Sequence, residues 1–202
     1  MPLSATGREQ AEAVGAWLTG LRPAERPEVV VVSPYLRTRQ TAELALAGTG
    51  IPAVVDERLR DRELGVLDLL TGHGVQTRLP GEHARRARLG KFYYRPPGGE
   101  SWADVLLRLR ALLRELRADH PGGRLLLVGH EATVLLVRYL AESLSEAELM
   151  AVARATAVAN CSVSTWHRDG DRLRPELFNS VAHLHREGAQ PTRQEDVNAE
   201  PV

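Results

Sequence analysis

Cysteine is nearly absent from this sequence: Cys161 is the only one in 202 residues. No disulfide can form within the chain, which excludes the small secreted scaffolds stapled by bridges and makes a reducing cytoplasm the expected compartment. Lysine is equally scarce, with Lys91 alone among arginines. Together with abundant alanine, this reads as the coding bias of a G+C-rich bacterium. Net charge is also missing, because 26 basic and 26 acidic residues cancel and are interspersed. Without a one-signed field, neither nucleic acid nor a membrane surface is an expected partner, and a charged ligand must be held by local groups. No apolar run approaches the roughly 18–20 residues of a membrane span, and the first residues lack a basic segment followed by an apolar stretch. An untargeted soluble protein is expected, and no internal repeat is present.

What remains is a chain with 43% hydrophobic residues, enough for one substantial core. The expected organisation is a single domain over residues 1–185 followed by a disordered polar tail over 186–202. Ser4 caps a predicted helix whose Ala11, Val14, Leu18 and Leu21 share one face and which ends near Pro23. Four successive valines between Glu28 and Ser33 read as a strand buried on both faces, as in a parallel sheet. A helix from about Arg37 to Ala47 and a short strand at Ala53 to Val55 continue a βα alternation. From Leu64 to Gly99 no regular period stands out, so an excursion over the top of the domain is predicted. Ser101, with Asp104 three residues on, opens the clearest helix, and its apolar stripe runs from Trp102 to Leu116. A second short strand over Arg124 to Val128 turns at Gly129-His130 into a helix over Ala132 to Ala141, and Ser145 can cap another. Cys161 to Trp166 and Leu173 to Phe178 read as a hairpin at the sheet edge, turned by Asp169-Gly170-Asp171.

Ligands in open α/β sheets gather where strands end at their carboxyl side, so polar residues just after a strand are the first candidates. Ser33-Pro34-Tyr35-Leu36-Arg37-Thr38-Arg39-Gln40-Thr41 follows the valine run and places Arg37 in the first turn of a helix. Positive charge is unfavourable there unless an anion is nearby, in which case the guanidinium fork and the free backbone N–H groups both bind phosphate oxygens. Read alone, Arg37 is equally a solvated surface arginine. Gly129-His130 lies between an apolar strand and an apolar helix, which suits either a site histidine or a partly buried capping one. Leu59-Arg60-Asp61-Arg62-Glu63-Leu64-Gly65 sets two carboxylates after another predicted strand, and read alone it is an exposed charge run. His183 and His185 alternate as on a strand, but two imidazoles by themselves make a weak metal site.

Taken together, these segments resemble the histidine phosphatase (phosphoglycerate mutase-like) superfamily over Pro2 to about Leu184. Residues Pro2 to Ala11 look like its helix following the active-site loop, and the Ser33 segment resembles its serine-proline-leucine…arginine…glutamine-threonine motif. Asp61 occupies the acid position four residues before Gly65, His130 matches the second active-site histidine, and Gly98-Gly99-Glu100-Ser101 is similar to a motif that opens a helix beside the pocket. The resemblance implies an α/β fold, a mostly parallel sheet flanked by helices on both faces. It also implies a small phosphorylated substrate or ligand, with no metal and no cofactor. By the same resemblance Arg37 and His130 hold phosphate, Glu100 and Ser101 line the substrate site, and Asp61, or alternatively Glu63, protonates the leaving group. The family's first central strand and its arginine-histidine-glycine nucleophile motif would precede Pro2. The expectation is therefore a truncated phosphatase, with a phosphate-binding pseudoenzyme and a phosphoglycerate mutase as alternatives. The oligomeric state is left open.

Overall fold

A computed structural model describes residues 1–170 and 172–193. Its parallel sheet comprises β1 (Val29–Val32), β2 (Ala53–Val55) and β3 (Leu125–Val128) in the order β2-β1-β3. β1 and β3 run in register from Val29 opposite Leu125 to Val32 opposite Val128, so the period-two alternation of both strands sorts side chains onto shared faces. Val29, Val31, Leu125 and Leu127 pack with the main core built on α5 (Trp102–Asp119), α6 (Glu131–Glu142) and α7 (Glu146–Ala155). Val30, Val32, Leu126 and Val128 face the opposite way, toward α1 (Ala5–Gly20) and α2 (Leu36–Ala45), where Val14, Leu18, Ala42 and Ala45 are buried. Both faces are therefore covered, as the continuous apolar strands require.

The helix starts follow side-chain capping. Ser4 Oγ accepts from the Gly7 N–H, and Ser101 and Ser145 form reciprocal capping boxes with Asp104 and Glu148. The stretch read as irregular folds into two helices, α3 (Gly72–Arg78) and α4 (Pro80–Tyr93), the second broken at Gly90. Phe92 is the one buried residue described in α4, so there was no apolar stripe to detect.

The predicted hairpin forms from β4 (Val163–Asp169) and β5 (Arg172–Ser180); Asp171 of its turn lies outside the described residues. It makes a two-stranded sheet of its own instead of extending the parallel sheet. Its anchors are side chains on α6: Trp166 Nε1 donates to Glu142 (3.1 Å) and the Arg138 guanidinium lies 4.2 Å over the Phe178 ring. His183 and His185 belong to a short helix, α8 (Ala182–Arg186), and not to a strand. At helical spacing they diverge, His183 turning inward to the Cys161 carbonyl (2.9 Å) while His185 is exposed. Residues 187–193, assigned to the tail by the sequence, pack on the body: Ala189 is buried and Gln10 Nε2 donates to the Gln190 carbonyl and to Thr192. The rest of that segment, 194–202, lies outside the described residues. No described helix is long and apolar enough to cross a membrane.

Candidate active site

Three chain segments leave the carboxyl ends of β1, β2 and β3 and meet above the sheet. β1 passes into Ser33, which is fully buried, its N–H donating to the Val128 carbonyl at the end of β3. Three residues later the chain enters α2, and Arg37 stands in that helix's first turn. β3 passes through Gly129 to His130, the residue preceding α6, which is 8% exposed. β2 is followed by a 3-10 turn over Glu57–Leu59 and then by Asp61.

These residues close into one cluster. Arg37 Nη2 donates to Asp61 Oδ2 (2.8 Å) and to His130 Nδ1 (3.0 Å), and His130 Nε2 lies 2.7 Å from Ser33 Oγ. A guanidinium can only donate, so Nδ1 must accept; the ring proton sits on Nε2 and is donated to Ser33. Asp61 Oδ2 is also 3.4 Å from Nδ1 and would favour a charged ring. Burial nevertheless pushes the imidazole pKa down to about 4, with the Arg37 guanidinium acting in the same direction and the Asp61 carboxylate opposing both. At neutral pH the cluster therefore holds a cationic arginine and a neutral histidine.

That depressed pKa has a consequence for stability. The unfolded imidazole titrates near 6.5, so the native state's preference for the neutral ring is fully expressed above that pH and is lost as pH falls toward about 4. The loss amounts to about 3 kcal/mol by linkage. Urea denaturation at about pH 7 and pH 4.5 is expected to show a steeper acid loss for the parent than for His130→Gln, and parallel curves would contradict the assignment.

Glu100 and Ser101, expected by resemblance to line the substrate site, make structural contacts here. Ser101 Oγ caps α5, and neither residue hydrogen-bonds to Arg37 or His130. Glu100 grips Arg108 of α5 through both carboxylate oxygens (2.9 and 3.0 Å). Burial pushes the Glu100 carboxyl up, but the Arg108 hydrogen bond and the Glu63 N–H outweigh it and leave the pKa below the usual value. Arg108 then donates to the Arg58 carbonyl (2.6 Å) and the Asp61 carbonyl (3.2 Å), pinning both ends of the segment that carries the acid. Arg108→Ala is expected to leave the half-buried Glu100 carboxylate with the looser Arg60 contact (3.5 Å) and the Glu63 N–H, costing about 1–2 kcal/mol. Glu100→Gln/Arg108→Met, which removes both charges, should recover part of that loss; a double variant no more stable than Arg108→Ala would argue against the pairing.

The acid segment also lies backbone to backbone against Pro96 to Glu100. Val66 N–H donates to the Pro97 carbonyl (3.0 Å) and Glu100 N–H to the Glu63 carbonyl (2.9 Å). Gly65 (φ +53) and Gly99 make that approach possible, since an added Cβ would come within 2.2 Å of Pro97 O and 2.6 Å of Glu63 O respectively.

The structure thus brings Arg37, Asp61 and His130 together and places Glu63 beside them, held by the Tyr35 hydroxyl (3.1 Å). Sequence reasoning named the segments containing Ser33 and Tyr35 without assigning those side chains, and it missed Arg108. A polar residue immediately after a buried strand was the available signal for Ser33; Arg108 offered none, being one arginine among many on a helix. Among the described residues no His/Cys/Asp/Glu group has the arrangement of a metal site.

Comparison with known proteins gives a consistent picture. Glucosyl-3-phosphoglycerate phosphatase of Mycobacterium tuberculosis is 39% identical over 119 residues, 59% of this chain and 51% of that protein. A probable phosphoglycerate mutase of Yersinia enterocolitica is 31% identical over 131 residues, 64% of this chain and 58% of the relative. The match therefore spans little more than half the length of these two relatives. The solved structure of mycobacterial glucosyl-3-phosphoglycerate phosphatase with inorganic phosphate superposes with a TM-score of 0.74 at 31% identity, covering 90% of this chain and 89% of that one. The α/β architecture, a parallel sheet between helices, is that of its phosphoglycerate mutase-like neighbours. A family model for branch 1 of the histidine phosphatase superfamily matches residues 1–181, and the chain belongs to that superfamily.

Proposed function

We propose that this protein acts on small phosphate monoesters, with Arg37 and His130 as the phosphate-holding groups and Asp61 as the proton donor. One observation carries the reading: at the carboxyl end of the sheet a cation, an imidazole and a carboxyl group lie within hydrogen-bond reach of one another. Arg37 supplies a planar fork suited to equatorial phosphate oxygens, and pre-positioned donors of this kind stabilise the charge that spreads over them in phosphoryl transfer. A bound phosphate dianion would also draw a proton onto His130, because the negative charge offsets what burial and Arg37 impose. Binding should then tighten toward mildly acidic pH. Asp61 is chosen over Glu63 because Glu63 accepts from Tyr35 at the rim, whereas Asp61 contacts Arg37 directly.

In the proposed reaction the substrate phosphate displaces Asp61 from Arg37 and, binding as the monoanion, passes its proton to that carboxylate; a histidine nitrogen then forms a bond to phosphorus while the P–O bond to the leaving group breaks, and Asp61 gives the proton to the departing oxygen. Water then attacks the phosphohistidine, Asp61 takes back a proton, and inorganic phosphate leaves. None of the chain's histidines follows an arginine and precedes a glycine, so the attacking histidine is left unassigned. A second reading, phosphate recognition without turnover, is favoured by one feature. Among the described residues His130 is the one histidine hydrogen-bonded within the cluster. Hydrolysis of an aryl phosphate by the 202-residue chain, set beside binding of inorganic phosphate, separates the two. Turnover abolished by Asp61→Asn supports the enzyme, binding with no turnover supports the recognition protein, and neither binding nor turnover overturns both.

A further inference from the structure

We propose that Tyr35 is a positioning residue for phosphate capture, its ring setting the Arg37 guanidinium and the His130 imidazole in the one orientation that lets both meet the same anion. The inference rests on reading that pair as the phosphate site. Tyr35 immediately precedes α2, yet its side chain makes no capping hydrogen bond, so helix initiation does not account for it. The ring contacts both groups: the Arg37 guanidinium carbon lies 4.7 Å from its centroid, and the His130 ring meets it edge-on at 5.3 Å and 83°. An electron-rich face under the guanidinium attracts it electrostatically, and an edge-on aromatic contact restricts imidazole rotation. Arg37 needs such a wall, because its side chain is 30% exposed and arginine's rotamer freedom otherwise favours a spread of solvent-facing conformers.

The ring is fixed in turn at its far end. The Tyr35 hydroxyl donates to Glu63 Oε1 (3.1 Å), while Glu63 is tied through its own N–H to Glu100 Oε2 (3.2 Å) and thereby to the Arg108 pair that pins Asp61. Burial, followed by the Glu63 carboxylate, pushes the phenol pKa up, so the hydroxyl remains a donor across the neutral range. Tyr35 thus couples the segment after β1 to the acid segment after β2. A leucine here would fill the space but offer neither an electron-rich face nor a hydroxyl donor.

The test uses the full chain, inorganic phosphate as probe in calorimetric titration, and NMR titration of the His130 imidazole. Tyr35→Phe, which keeps the ring, should bind phosphate within about threefold of the parent. Tyr35→Ala should bind about tenfold more weakly and raise the His130 midpoint toward its ordinary value as water reaches the ring. Tyr35→Leu guards against a folding defect: it should melt like the parent and bind about threefold more weakly or worse. Parent-like binding and an unmoved His130 midpoint in the leucine and alanine variants would overturn the proposal. A phenylalanine variant as weak as alanine would do the same, by shifting the role to the hydroxyl. No phosphate binding by the parent would overturn the phosphate reading itself. A normal parent with normal variants would overturn only the role of Tyr35.

Discussion

Arg37→Ala is expected to weaken phosphate binding and any phosphomonoester turnover by about 10²–10³-fold, the effect of removing one pre-positioned charged donor from a partly desolvated site. The size follows from geometry. Arg37 reaches Asp61 and His130 through a single nitrogen, Nη2, so truncation removes a cation that hydrogen-bonds to both groups at once. Arg37→Lys separates charge from shape: a point charge keeps the attraction but cannot present the planar fork, so most of the loss should persist. Isothermal titration with inorganic phosphate and steady-state kinetics on an aryl phosphate read the two quantities separately. A lysine variant matching the parent would mean that charge alone is recognised, and an alanine variant matching it would remove Arg37 from the site. His130→Ala should also weaken binding, but less, because the imidazole is neutral until the anion arrives.

The largest expected effect on stability lies in a residue with no side chain. Gly65→Ala should destabilise the fold by about 3 kcal/mol or more, combining the cost of a left-handed backbone with displacement of a neighbouring strand of chain. At φ +53 the new methyl would stand 2.2 Å from Pro97 O and 2.7 Å from two further backbone atoms, none of which is the movable end of a side chain. Relieving the clash requires separating the acid segment from the Pro96 to Glu100 segment, breaking the Val66 and Glu100 backbone bonds and releasing Asp61. Chemical denaturation measures the loss directly. Gly48→Ala provides the comparison, since φ is +73 there and the added carbon meets nothing within 4 Å. Only the backbone term applies at Gly48, so equal losses at the two sites would refute the close-approach argument.

The Glu100–Arg108 pair shows how a motif can be legible while its contacts are not. The sequence placed Glu100 before a helix near the site, and resemblance suggested a contact with substrate. In the folded chain its carboxylate meets Arg108, Arg60 and the Glu63 N–H, and Arg108 in turn holds the Asp61 carbonyl. A residue's partner across 8 positions of an irregular turn and helix start depends on how the loop folds back. Periodicity does not encode that fold-back.

Much of the scaffold was determined by the sequence alone. Four valines can only satisfy their stiffness and apolarity in a doubly covered strand, and the serine caps with their acidic third residues set where helices begin. Those local rules placed β1 to β5, α1, α2 and α5 to α7 and located Arg37, Asp61 and His130 at element ends. The helices α3 and α4 escaped because the chain there lacks an apolar stripe, and α8 escaped because two alternating histidines mimic a strand over too short a span. Only the tertiary structure decided which side chains of the site touch. The tautomer of His130, the neutrality of its ring, the reach of Tyr35 to three groups and the hold of Arg108 on the acid segment all arise where separate segments converge. Burial and proximity between residues 24 to 97 positions apart are properties of that convergence, and no local pattern in the chain specifies them.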